Sequence, residues 1–186
     1  FGYLAALQDF DAIAARLARR IVQIAGSGGD YMLVGHSLGG VLLRAALQAL
    51  PAGTRAPVHV YLLGSPVQPS RLAQRLKDNW AFRLLAGDCG QVLGSADRMG
   101  AIVGASGMPI TCIAGVRALP GSHRRFGADA NDGVVSVGEV SAPWLSAPIE
   151  VPVLHTLLPT SRQVAALIEQ GFQRARRHRG GGGFSD

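Results

Sequence analysis

Gly35-His36-Ser37-Leu38-Gly39-Gly40 places a serine between glycines at the junction of two differently patterned segments. With 25 Gly among 186 residues, the Gly-x-Ser-x-Gly pattern is weak by itself, so its surroundings decide what it means. Before it, Tyr31 to Val34 is a short continuous apolar run. After it, Leu38, Val41, Leu42, Ala45, Ala46 and Leu47 recur at helical spacing until Pro51. A serine on a sharp strand-to-helix turn has its hydroxyl presented above the end of a sheet. Flanking glycines let the backbone turn and the helix pack without Cβ clashes. The Leu38 N–H then starts the helix, where an unpaired donor and the helix dipole favour a developing oxyanion. The plainer alternative is a Gly-rich turn or a phosphate cradle. Phosphate cradles carry a Lys-Ser/Thr pair or a Gly-x-Gly-x-x-Gly run, and neither is present.

A serine nucleophile needs a base to take its proton and a carboxylate to orient that base. Five histidines compete. His36 is fixed beside the serine and is expected to point away from it, His59 lies within an apolar run, His123 sits among arginines and His178 belongs to a basic tail. His155 directly follows the apolar run 149–154 and precedes the last helical pattern, so it is the candidate base. On such a turn the chain order is serine, acid, histidine. Asp129, Asp132 and Glu139 fall in the required interval. Asn131-Asp132-Gly133 is a tight-turn signal followed by apolar Val134-Val135, which makes Asp132 the first choice, ahead of Asp129 and then Glu139. Ser65 and Ser106 lack the strand-turn-helix context and are expected to be loop or pocket residues.

These side chains need a scaffold, and the hydrophobic periodicity supplies one. Residues 8–25 read as an amphipathic helix, with Asp9 and Asp11 at its positive end and Gly26 to Gly29 as its stop. The runs at 31–34 and 58–63 suit strands buried on both faces, which need not alternate, and those at 110–114 and 149–154 read as further strands. Residues 38–50 and 161–174 read as helices. This succession predicts an α/β domain of three layers, α/β/α, around a mostly parallel sheet, spanning 1–175, with 176–186 as a basic, Gly-rich flexible tail. Residues 67–109 carry Trp80, Phe82, Leu84, Leu85, Leu93, Met99 and Ile102, as a lid or as core.

Composition agrees with a single core. At 48% apolar and 16% charged, the chain is neither disordered nor collagen-like nor a disulfide scaffold. No apolar run approaches the roughly 20 residues needed to cross a bilayer, so no integral membrane segment is expected. The net charge is +6, and the tail from Arg174 onward holds four arginines against Asp186 (4 − 1 = +3), half of the excess. No basic stripe interleaved with aromatics accompanies it, so no nucleic-acid partner is expected. Cys89 and Cys112 are compatible with one bridge, although their number and spacing favour free thiols and a reducing, cytoplasmic setting. No Cys/His set has metal-ligand spacing.

The combination resembles the α/β-hydrolase superfamily, in particular its small bacterial lipase/esterase-like members. The matching stretches are Leu33 to Gly40, Leu62 to Pro66, Asn131 to Val135 and Val153 to Thr156. The resemblance implies Ser37 as nucleophile, His155 as general base and then acid, Asp132 as its orienting partner and the Leu38 N–H as one oxyanion donor. It implies hydrolysis of a small-molecule or lipid carboxylic ester through an acyl-enzyme, with no cofactor and no metal. The same triad also serves thioesterases and acyltransferases. The superfamily usually places, before the turn, a strand ending in His-Gly whose loop gives a second oxyanion donor. No such segment occurs here, and Phe1-Gly-Tyr3 resembles the end of the strand that leads into the first helix. The expectation is therefore an N-terminally truncated member, with a catalytically impaired or inactive fragment serving as a binding module as the rival outcome.

Overall fold

In a computed structural model, the structure describes residues 1–76, 78–103, 107–118 and 120–180, without the side chains of 80–85 and 178–180. In chain order the elements are α1 (Phe10–Gly26), β1 (Met32–His36), α2 (Leu38–Gln48), β2 (His59–Leu63), α3 (Arg71–Leu76), α4 (Trp80–Gly94), α5 (Ala96–Ala101), β3 (Ile110–Gly115), α6 (His123–Phe126), β4 (Ile149–Val151) and α7 (Arg162–Gly180). Short 3-10 turns cover Gly138–Val140 and His155–Thr160.

Asp9 caps α1, its Oδ1 accepting the N–H groups of Asp11 and Ala12 at 3.0 and 3.2 Å, an arrangement worth about 1 kcal/mol. The helix buries Phe10, Ile13, Ala14, Ala18 and Ile21, packing them against Val41, Leu42, Leu43 and Ala46 of α2. The four strands are all parallel and lie in the order β1-β2-β3-β4. In β2, Val60 and Leu62 face α1 and α2, whereas Tyr61 and Leu63 join Ile113, Val151 and Val164 of α7 on the other face. The run 31–34, expected to be buried on both faces, is only half-buried with Val34 exposed, because β1 lies at an edge of the sheet. The central strands β2 and β3 are covered on both faces, which explains their unbroken apolar runs. Each such fully buried aliphatic side chain contributes about 1.5–3 kcal/mol.

Element ends shift from the expected ranges by one or two residues at several places, such as α1 (10–26 for 8–25) and β1 (32–36 for 31–34), and three ends have a plain reason or consequence. Sheet pairing ends at Val151, because Pro152 has no N–H to continue the ladder. Helix α2 ends at Gln48, short of Pro51. Helix α7 continues past Arg174 to Gly180, so residues 176–180 are helical; the remainder of the expected tail, 181–186, lies outside the described residues.

The middle segment contributes to the core. Cys89, Val92, Met99 and Ile102 are buried with Phe10 and Val41, and Leu93 packs against them. The side chains of Trp80, Phe82, Leu84 and Leu85 lie outside the described residues. The chain breaks helical geometry at Gly87, φ +54°, where a Cβ would stand 2.7 Å from the Ala5 carbonyl oxygen. Cys89 and Cys112 are free and buried, and burial pushes each thiol up to about 11. Strand β1 is one edge of the sheet and β4 the other: on β1, Val34 is 47% exposed, and a groove of about 810 Å³ runs beside it, bordered by Arg16, Leu17, Arg20, Leu33, Gly39 and Leu42. Among the described residues, no helix is long and apolar enough to cross a membrane.

Candidate active site

Parallel strands bring their C-terminal ends to one edge of the sheet, and the chemically active side chains collect there. Ser37 follows β1 directly with φ +52° and ψ −128°, the one non-glycine residue with positive φ among those described. Such backbone costs about 1–3 kcal/mol and persists only where neighbours hold it. Here the Ser37 N–H donates to the Leu63 carbonyl at 2.9 Å, extending the β1–β2 ladder into the turn. The glycines that permit the turn are Gly35 and Gly40: a Cβ on Gly35 would lie 2.5 Å from the Gly40 Cα, and one on Gly40 would lie 2.3 Å from Ser65 Oγ. Gly39, the motif glycine, has only the Tyr3 hydroxyl nearby at 3.8 Å. On the helix side of the serine the crowded position is thus Gly40, just outside the Gly-x-Ser-x-Gly pattern.

Ser37 occupies the N-cap position of α2 without capping it. Its Oγ is instead 2.9 Å from His155 Nε2, which leaves the Leu38 N–H at the helix start free of a side-chain cap.

The acid comes from the loop after β3. Asn131 and Ser136 pair across a tight turn, Asn131 Oδ1 accepts the Gly133 N–H, and Gly133 adopts φ +92°. The turn aims Asp132 inward, 1% exposed, with Oδ1 accepting the N–H groups of Val134 and Val135 at 3.0 and 2.8 Å. Its Oδ2 is 2.7 Å from His155 Nδ1. A carboxylate accepts only, so Nδ1 carries the proton and Nε2 presents its lone pair to the serine hydroxyl. His155, 5% exposed, begins the 3-10 turn after β4, and its N–H donates to the Asp132 carbonyl at 3.1 Å. Gly64, φ +49°, backs this pair: a Cβ there would stand 3.0 Å from Asp132 Oδ2, 3.1 Å from His155 Nδ1 and 2.8 Å from Leu158 Cδ1.

The rival carboxylates have other partners. Asp129 pairs with Arg71 at 3.3 Å. Buried Glu139 accepts the N–H groups of Arg71 and Ser136 at 2.6 and 2.8 Å, and its carbonyl accepts those of Val67 and Gln68, so it ties the segment after β2 to the acid loop. His59 is at the far end of the strands, bonded to Thr111 Oγ1 and stacked on Tyr61. His123 is exposed at the start of α6, and the side chain of His178 lies outside the described residues. Ser65 lies in the loop after β2, as expected, but is fully buried under Gly40, its Oγ without a hydrogen-bond partner among the described residues. Ser106 lies outside the described residues. His36 does turn away from Ser37, but towards His155, whose carbonyl oxygen is 3.0 Å from His36 Nε2. Burial, then the neighbouring His155 charge, lowers the His36 pKa below the ordinary imidazole value. Neither this contact nor those of Gly64 has a sequence signal, because both depend on segments far apart in the chain. Among the described residues, no group of three or more His, Cys, Asp or Glu side chains is arranged to hold a metal ion.

A parallel sheet between helices, with a strained serine turn at its C-terminal edge, defines the α/β-hydrolase fold. Solved structures agree. The mature form of a Bacillus licheniformis lipase superposes with a TM-score of 0.59 over 80% of this chain and 68% of that one, at 20% identity. A Legionella pneumophila phospholipase superposes with a TM-score of 0.57 over 76% of this chain and 35% of that one, at 17% identity. The chain therefore spans about two thirds of the lipase and about a third of the phospholipase. No protein-family model matches the sequence, and no curated protein matches it in sequence. The chain is an α/β-hydrolase-fold protein.

Proposed function

We propose that this chain is a serine hydrolase of carboxylic esters, with Ser37 as nucleophile, His155 as base and acid, and Asp132 as the group that orients the base. The observation that carries it is the continuous hydrogen-bonded series from Ser37 Oγ to His155 Nε2 (2.9 Å) and from His155 Nδ1 to Asp132 Oδ2 (2.7 Å). His155 Nε2 takes the hydroxyl proton as Ser37 Oγ bonds to the ester carbonyl carbon. Asp132 keeps the Nδ1–H tautomer in place and balances the imidazolium. The Leu38 N–H donates to the oxyanion of the tetrahedral intermediate. Collapse breaks the bond to the alcohol, which leaves with the proton from His155 Nε2. Water, deprotonated by His155, then adds to the acyl carbon, and collapse breaks the bond to Ser37 Oγ, which takes the proton back from His155 as the acid leaves. Substrates are small-molecule or lipid esters.

The test is incubation of the folded protein with a fluorophosphonate, peptide mapping of the adduct, and turnover of a chromogenic short-chain ester. Labelling at Ser37 and turnover that Ser37→Ala removes are expected. A folded protein that takes no label at Ser37 overturns the proposal.

A further inference from the structure

We infer that His36 is a positioning residue of this site, fixing the base against the nucleophile through the hydrogen bond from its Nε2–H to the His155 carbonyl. The inference rests on the hydrolase proposal and extends it to a side chain that touches no reacting atom.

Residue 155 is held from two sides. Towards the acid loop, its N–H and Nδ1 engage the carbonyl and Oδ2 of Asp132. Towards the serine turn, its carbonyl and Nε2 engage two consecutive residues, His36 and Ser37, at 3.0 and 2.9 Å. A ring nitrogen bonded to Ser37 alone leaves the 155 backbone free to slide relative to the turn. Adding a bond from the adjacent residue to the backbone of the same histidine fixes both ends of the base. The chemistry of the contact is determined: a carbonyl only accepts, so His36 Nε2 carries the hydrogen. The two imidazoles are also in tilted contact, with centroids 4.8 Å apart and planes inclined by 42°. A positive His36 there would oppose the imidazolium that His155 must become during attack, whereas the neutral Nε2–H tautomer supplies the bond without that cost. Misplacement of a base by about 1 Å is enough to cost about 100-fold in rate.

The experiment compares wild type, His36→Phe, which keeps a ring but removes the donor, and His36→Gln, which returns a donor to nearly the same place. The readouts are kcat and KM on a chromogenic short-chain ester, the rate of fluorophosphonate labelling at Ser37, and Tm. For His36→Phe, kcat and labelling rate are expected to fall about 10- to 100-fold with KM within about threefold. His36→Gln is expected to recover to within about fivefold of wild type. A His36→Phe enzyme as fast as wild type, or a His36→Gln enzyme as slow as His36→Phe, overturns the inference. A nitrogen-15 spectrum of the imidazoles in the wild-type protein tests the contact without any variant. The Nε2–H tautomer at His36 is expected, and the Nδ1–H tautomer overturns the inference even if a variant fails to fold. A wild type that neither turns over ester nor takes label removes the underlying hydrolase proposal and this one with it; an active wild type matched by His36→Phe removes this one alone.

Discussion

Gly40 packs its Cα onto the side chain of Ser65, so closely that a methyl group on residue 40 would lie 2.3 Å from Ser65 Oγ and 2.6 Å from its Cβ. This contact sets how near the helix after the serine turn approaches the end of β2. Gly40→Ala is expected to lower stability by about 1–3 kcal/mol through overpacking. Ser65→Gly in the same chain removes both clashing atoms and should recover most of the loss. Gly39→Ala, which meets only the Tyr3 hydroxyl at an ordinary contact distance, should leave Tm nearly unchanged. Thermal unfolding of the three variants checks this, and equal losses at 39 and 40 would contradict it.

The carboxylates of the acid region separate by partner. Asp132→Asn is expected to reduce kcat by about 10³–10⁴ with little change in Tm, because Asn no longer dictates the tautomer of His155. Asp129→Asn breaks only a partly exposed pair with Arg71 and should leave kcat within a few-fold. Glu139→Gln weakens charged bonds to the N–H groups of Arg71 and Ser136, so its loss should show in Tm more than in kcat. Ester turnover and thermal unfolding, measured together, distinguish these outcomes.

Arg44 is 2% exposed on α2. One guanidinium nitrogen reaches the Ile102 carbonyl, the group lies over the Trp144 ring, and Nε and Nη1 have no hydrogen-bond partner among the described residues. Burial lowers its pKa to about 10, because a desolvated guanidinium holds its charge at a cost. Replacing a buried, poorly paired cation with an apolar side chain of similar length is neutral or stabilising. Arg44→Met is expected to raise stability by about 1–2 kcal/mol, whereas Arg44→Ala should lower it by leaving a cavity. Denaturant unfolding of both variants is the check, and a Met variant less stable than wild type would be the contrary result.

Two histidines make stability depend on pH. Burial lowers the pKa of both His36 and His59 from the ordinary 6.5. The unfolded chain protonates these rings near 6.5, while the folded one resists until a lower pH. Between those values the unfolded state binds more protons, so stability rises with pH and is lost on acidification below about 6.5. His59→Gln, remote from the site, should flatten the fall of Tm between pH 7 and pH 5. An unchanged slope would show that His59 does not contribute.

The layered α/β plan, the serine turn and the acid and base candidates were legible because each leaves a local mark. Helices repeat their apolar residues at three and four, doubly buried strands run apolar without a break, and a strained turn needs glycine beside its serine. Asn131-Asp132-Gly133 marks its own bend in the same way. What lies across the sheet leaves no such mark. The Asn-Asp-Gly turn put Asp132 ahead of Asp129 and Glu139 in sequence, but it is the packing of the loop after β3 that sends one towards His155 and two towards Arg71 and its neighbours. The same holds for the contact of Gly64 with the Asp132–His155 pair, for the burial of Ser65 under Gly40 and for the bond from His36 to the base. Sequence alone determined which groups were present and which local turns would carry them. The tertiary structure decided their partners, because a hydrogen bond or a close backbone approach depends on distances between segments far apart in the chain, and those are set by the packing of the whole sheet and its helices.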